Sequence, residues 1–142
     1  MGLTPEGAFA LTADGHDVVF EAGCGEKSGH SDAAYVASGG QPLATADEVW
    51  ATCDLVVKVK EPVESEYRFL RKGLTLFTYL HLAAERELTE RLMESGCTSL
   101  AYELVRTSNG YLPLLAPMSQ VAGRMAAEIG AQLLKHPGPG RG

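Results

Sequence analysis

Two apolar runs, each closed by a residue able to do chemistry, constrain this chain more than any other feature. Asp54-Leu55-Val56-Val57-Lys58-Val59-Lys60 is stopped by Glu61-Pro62, and Leu74-Thr75-Leu76-Phe77-Thr78-Tyr79-Leu80-His81 follows after a gap that fits one crossover helix. Short runs rich in β-branched and aromatic residues read as buried strands. A crossover between two such runs makes a parallel pair. In an open parallel sheet, ligands bind beyond the carboxyl ends of the strands, and neighbouring strands lie about 4.8 Å apart. The pattern therefore predicts Lys60 and His81 side by side at the mouth of one crevice, where an ammonium and an imidazole could converge on a small carbonyl compound.

The rest of the chain alternates helical and strand patterns. Thr4-Pro5 is a helix opening, with threonine at the N-cap and proline at the first helical position, and the helix runs to about Ala13 and stops at Asp14-Gly15. Val18-Val19-Phe20 reads as a short strand. Ser31-Asp32 caps a helix through Ala37, and Thr45 with Glu48 forms a capping box ahead of Trp50. A crossover helix is expected from about Ser65 to Arg71, another from about Glu85 to Ser95, and a strand from Thr98 to Tyr102. Asn109-Gly110 signals a turn, with a peripheral strand over Tyr111–Leu115. From Met118 to about Lys135, Val121, Met125, Ile129 and Leu133 recur at helical intervals, which predicts one long helix. Strands alternating with helices imply an α/β domain built on an open, mostly parallel sheet with flanking helices.

Composition narrows the function classes. The chain has 142 residues, enough for a real core. A formal net charge of −6 argues against nucleic acid, which calls for a basic face. No apolar stretch reaches the roughly 18–20 residues that span a bilayer, and the N-terminus lacks the basic and apolar regions of a secretory signal. Met1-Gly2 is a poor myristoylation signal because Glu6 stands where that motif takes serine or threonine. Cys24, Cys53 and Cys97 form no C-x-x-C and no zinc-ligand spacing with histidine. Free thiols, no metal site and a cytoplasmic address are the expectation.

Lysine near a bound carbonyl or carboxylate holds the ligand and stabilises developing negative charge. Histidine can give or take a proton as a carbonyl becomes an alcohol or amine. Both roles suit redox or addition chemistry at a 2-oxo acid, which also needs a hydride carrier supplied by a cofactor. Against this, a lysine at a strand end is ordinarily a solvated terminus, and a histidine after an apolar run is ordinarily a hydrogen-bonded boundary residue. On the residues alone both readings stand. His16, His30 and His136 sit in turn or tail contexts and read as surface residues. Gly23-x-Gly25 with Gly29 is one residue too long for a G-x-G-x-x-G turn, and Glu26 and Asp32 would repel a pyrophosphate, so the segment reads as a flexible connection. Ser119 falls in the first turn of the long helix, where unpaired backbone N–H groups favour anions, or serves simply as an N-cap.

Three long motifs carry a resemblance. Asp54 to Pro62, Leu76 to Ala84, and Leu112-Pro113-Leu114-Leu115-Ala116-Pro117-Met118-Ser119-Gln120-Val121-Ala122-Gly123-Arg124 resemble the alanine dehydrogenase family, in the right order. The likeness runs over nearly the whole chain, and Lys58-Val59-Lys60-Glu61-Pro62 favours this family over the related nicotinamide nucleotide transhydrogenase α subunits. The resemblance implies a Rossmann-like substrate domain over residues 1–116, a long interdomain linker helix over 117–136 and a flexible tail over 137–142. It implies interconversion of L-alanine and pyruvate with NAD, and a homo-oligomer, usually a hexamer. It gives Lys60 as substrate-binding, His81 as catalytic, Met118 as lining the substrate side and Ser119 as contacting the cofactor diphosphate.

The same resemblance sets a further expectation. The family's first strand and its carboxylate-gripping arginine would fall before Met1, and the strand and glycine turn of its NAD-binding domain would follow Gly142. The chain is thus expected to be a substrate domain cut at both ends, without turnover of alanine on its own. The alternatives are a transhydrogenase α-subunit piece and a non-enzymatic remnant or assembly module.

Overall fold

Local capping chemistry sets most element boundaries in the computed structural model, which describes residues 1–135 and Gly140. Helix α1 spans Pro5–Ala13, with the Thr4 hydroxyl accepting the Gly7 N–H at 3.2 Å and Gly15 in the left-handed region just past its end. Strand β1 is Val19–Glu21, helix α2 is Asp32–Ala37 behind an N-cap Ser31, and strand β2 is Gln41–Leu43. Helix α3, Ala46–Thr52, opens with both bonds of the Thr45/Glu48 capping box in place. Strand β3 is Leu55–Val57, strand β4 is Thr75–Thr78, helix α4 is Arg86–Ser95 with Gly96 as its left-handed stop, and strand β5 is Thr98–Ala101. Helix α5 runs Ala116–Leu134.

Every strand pairing is parallel. β1 pairs with β2, and β3, β4 and β5 pair in that order, with Val57 opposite Phe77 and Phe77 opposite Leu100. This is the α/β architecture with flanking helices that the alternation of patterns implies, with the strands divided between two sheets. By its contacts the chain divides into two compact units, Met1–Ala101 and Tyr102–Gly142.

The first unit holds the core. Leu74, Leu76, Leu80 and Leu88 are almost wholly removed from solvent, with Trp50, Val56, Leu70 and Leu92 around them. The Trp50 ring stacks on Phe69 at 5.9 Å. Arg71 closes the end of α3 from outside the helix, donating from Nη1 to the Trp50 carbonyl at 2.8 Å and from Nη2 to the Cys53 carbonyl at 2.7 Å. A second cluster of Ala8, Phe20 and Tyr35 packs α1 and α2 against β1.

Five expectations are corrected. The strands expected to end in Lys60 and His81 are shorter, ending at Val57 and Thr78, and His81 itself turns the chain into a left-handed conformation. The crossover is a 3₁₀ helix over Glu64–Phe69 rather than an α-helix. β2 went unread because Gln41-Pro42-Leu43 carries no strand pattern, yet it pairs from Val19↔Gln41 to Glu21↔Leu43. Tyr111–Leu115 forms no strand: Thr107 N–H donates to the Tyr111 carbonyl at 2.9 Å and Asn109 Oδ1 accepts the Tyr111 N–H at 3.2 Å, so the segment closes as a turn. The segment after Gly23 is a bonded turn rather than a loose connection, as detailed below. The expected tail over 137–142 lies outside the described residues apart from Gly140.

Candidate functional site at the carboxyl ends of β3 and β4

Lys60 lies three residues past the end of β3 and His81 three past the end of β4, at the same end of a parallel pair. The ladder does not stop cleanly there. Lys58 N–H donates to the Phe77 carbonyl at 3.1 Å, and Tyr79 N–H donates to the Val59 carbonyl at 3.2 Å. The Thr78 hydroxyl, wholly buried, donates to the Lys60 carbonyl at 2.9 Å. These bonds fix the Lys60 backbone to the end of β4, while its side chain stays 70% exposed.

Lys60 Nζ pairs with Glu61 Oε1 at 2.8 Å. That hydrogen bond is the main reason the Glu61 carboxyl is held below its ordinary range; burial opposes it, and the charges of Lys60 and His81 add in the same direction. His81 thus lies within electrostatic reach of the Lys60–Glu61 pair. Glu61 Oε2 is buried and has no hydrogen-bond partner, an arrangement that costs about 1–3 kcal/mol and calls for an explanation.

His81 is the one non-glycine residue with positive φ among the described residues, at +50°. Its carbonyl accepts the Ala84 N–H at 2.9 Å, and its exposed ring stacks on Tyr79 with centroids 6.1 Å apart and planes 10° from parallel. A left-handed histidine costs roughly 1–2 kcal/mol, and such strain gathers at functional positions. The sequence reading named Lys60 and His81 as candidates and used Glu61 only as a stop signal. Its position beside the lysine was the available clue.

Met118 and Ser119 lie in the second unit, on α5, and both are exposed. Ser119 is not the N-cap: that position is Leu115, and Ser119 N–H already donates to the Leu115 carbonyl at 3.3 Å, with its hydroxyl directed to the same oxygen at 3.4 Å. Its backbone donor is therefore engaged. The apolar stripe of α5 is present at the expected spacing but is unburied, with Met118, Val121, Met125, Ile129 and Leu133 each about half exposed.

The Gly23–Gly29 segment does not form a phosphate cradle. Gly23 N–H donates to both oxygens of Asp32, at 2.9 and 3.1 Å, so a carboxylate already occupies the anion position. A Cβ on Gly25 would meet the His30 carbonyl at 2.7 Å, which explains the glycine by close packing rather than by ligand approach. No group of His, Cys, Asp and Glu that could hold a metal ion is present among the described residues, and no helix there is long and apolar enough to cross a membrane. All three cysteines are free, and burial pushes the Cys24 and Cys53 thiols up.

Known proteins are similar to this chain in sequence and fold. The model of the alanine dehydrogenase/PNT N-terminal domain matches residues 1–122. Alanine dehydrogenase of Mycobacterium tuberculosis H37Rv is 54% identical over all 142 residues, which cover 38% of that protein. The Bacillus subtilis alanine dehydrogenase is 51% identical over the same span, 37% of its length. A solved L-alanine dehydrogenase superposes with a TM-score of 0.89 at 47% identity, over 99% of this chain and 39% of that one. A transhydrogenase from Sinorhizobium meliloti superposes with a TM-score of 0.68 at 28% identity, over 76% of this chain and 32% of that one. The chain spans less than two fifths of the length of the curated relatives it matches.

Proposed function

Because the chain belongs to the alanine dehydrogenase/PNT N-terminal domain family, we propose that it forms the substrate-binding part of an NAD-dependent alanine dehydrogenase. The reaction takes L-alanine, water and NAD to pyruvate, ammonia and NADH. NAD supplies the acceptor for the hydride from Cα. The Gly23–Gly29 turn is filled by Asp32 and offers no dinucleotide cradle, so the reading assigns this chain mainly to the substrate end, with Ser119 reaching the cofactor.

There, the Lys60 ammonium holds the substrate carboxylate or the C2 oxygen and balances negative charge as it develops. His81 takes a proton from the water adding to the imine carbon left by hydride loss and gives it to nitrogen; as the C–N bond breaks, ammonia leaves and the hydroxyl proton passes back to His81. Met118 lines the substrate side and the Ser119 hydroxyl meets the cofactor diphosphate. Residues 1–116 serve as the substrate part, and residues 117–136 as the linker toward a dinucleotide-binding part. The half-exposed stripe of α5 supports a homo-oligomer, a hexamer as the resemblance implies, and a cytoplasmic address goes with this reading.

One observation carries the reading: Lys60 and His81 extend from adjacent parallel strands at the same end, with the Thr78 hydroxyl tying the Lys60 carbonyl to β4. The test is a titration of the isotope-labelled chain with pyruvate and with L-alanine, followed at the Lys60, Thr78 and His81 amides. Saturable shifts are expected. Lys60→Ala should weaken pyruvate binding at least about tenfold, the worth of a charged hydrogen bond. His81→Ala should leave binding nearly intact. No response to either ligand would overturn the reading. The transhydrogenase reading rests on the more distant superposition and predicts no alanine response.

A further inference from the structure

Lys60 sits in the segment from Lys58 to Glu66, a loop running into the first turn of the 3₁₀ helix, and the ends of this segment are joined. The Lys58 ammonium pairs with Glu66 Oε2, and both side chains are about four-fifths removed from solvent. The same Glu66 oxygen accepts the Val63 N–H at 2.8 Å. Lys58 Nζ also lies 5.6 Å from the centre of the Trp50 ring, itself a core residue. The clasp is therefore anchored in the interior on one side and grips the loop backbone on the other.

What the clasp encloses is unfavourable when taken alone. Lys60 and Glu61 occupy the loop between its two ends, and Glu61 Oε2 is buried without a donor. Costly local arrangements of this kind persist only where the surroundings over-determine them. Thr78 holds the Lys60 carbonyl on one side, Pro62 is buried, and on the other side the Glu66 carboxylate holds the Val63 N–H.

We propose that Lys58 and Glu66 are positioning residues that act through the Lys60–Glu61 turn, setting where the Lys60 ammonium meets the substrate. This rests on Lys60 binding substrate, as read above. Neither Lys58 nor Glu66 touches the ligand. The aliphatic stem of Lys58 packs near Trp50, so Lys58→Met removes the charge and keeps apolar bulk. Glu66→Gln removes the charge and keeps an acceptor for Val63.

The experiment is a double-mutant cycle on the full 142-residue chain, reading pyruvate affinity by amide-shift titration and unfolding midpoint in urea for the same samples. In the Lys60 background, Lys58→Met and Glu66→Gln should each weaken pyruvate binding roughly tenfold, within the range coupled neighbours show. In the Lys60→Ala background the same changes should leave the residual affinity unaltered, while the shift in unfolding midpoint is the same in both. If Lys58→Met fails to fold, Glu66→Gln decides. Equal loss of affinity in both backgrounds, or no loss in either, overturns the positioning role and leaves Lys60 as ligand. Failure of the parent chain to bind pyruvate overturns the substrate reading itself, and the positioning role with it.

Discussion

The body and the mouth of the β3–β4 pair are made of the same two strands and obey opposite rules. In the body, Leu74, Leu76 and Leu80 cluster with Leu88 and Leu92 of α4, and Arg71 satisfies the carbonyls at the end of α3. At the mouth, an exposed His81 holds φ +50°, Lys60 is mostly in solvent, and Glu61 keeps a buried oxygen without a partner. The body supplies the free energy that the mouth gives up. Residues that break local rules without an evident gain in stability are where function is expected, and here they cluster at one end of one strand pair.

Substitution in the body should therefore show the largest effects on stability and the smallest on ligand affinity. Leu76→Ala is expected to cost about 2–5 kcal/mol, because the side chain is wholly buried and the surrounding leucines can only partly close the gap. Urea unfolding measures it, and pyruvate affinity per folded molecule should be unchanged. A cost under about 1 kcal/mol would mean that the body is not the source of the fold's stability. Arg71→Ala comes next, at about 2–3 kcal/mol, since it leaves the Trp50 and Cys53 carbonyls without their shared donor. Arg71→Lys should recover only part of that, because an ammonium cannot span both carbonyls as a planar fork does.

The sequence made the body legible and the mouth only half so. Caps at Thr4, Ser31 and Thr45 and the stop at Gly96 are short-range chemistry, so they could be read directly and lie within a residue of where they were expected. β2 was missed because its strand character comes from pairing with β1, not from Gln41-Pro42-Leu43 itself. Lys60 and His81 were legible as candidates from their place at the ends of apolar runs. Glu61 was overlooked because an unpartnered oxygen is a property of three-dimensional packing, and the Lys58–Glu66 clasp because the loop that joins them hides the pairing. On α5 the spacing of Val121, Met125, Ile129 and Leu133 was enough to read one long helix, but periodicity cannot say what covers the apolar face.

At the mouth, the comparison predicts that stability is indifferent to chemistry but sensitive to backbone conformation. His81→Asn should stay within about 0.5 kcal/mol of the parent, since asparagine tolerates the left-handed region. His81→Val should cost about 1 kcal/mol or more, because a β-branched side chain does not. His81→Gly trades relief of strain against greater freedom in the unfolded chain and should fall near zero. A ranking that followed side-chain size instead would show that the His81 ring, stacked on Tyr79, is a packing residue after all.

The smallest effect concerns pH, and its sign follows from the Lys60–Glu61 bond. The Glu61 carboxyl is lowered in the folded chain, chiefly by the hydrogen bond from Lys60. Such a group adds stability in full above its unfolded value, and that contribution is lost as pH falls through the folded value. Glu61→Gln should accordingly flatten the acid limb of the stability curve, and Lys60→Met should flatten it by a similar amount, since the bond is shared. The difference should be below about 1 kcal/mol, because an ammonium 70% exposed is well screened. Urea midpoints measured from pH 7 downward for the three chains read this out. A Glu61→Gln chain with an unaltered acid limb would mean that the Lys60–Glu61 pair carries none of the mouth's stability. The body alone would then be holding Lys60 in place.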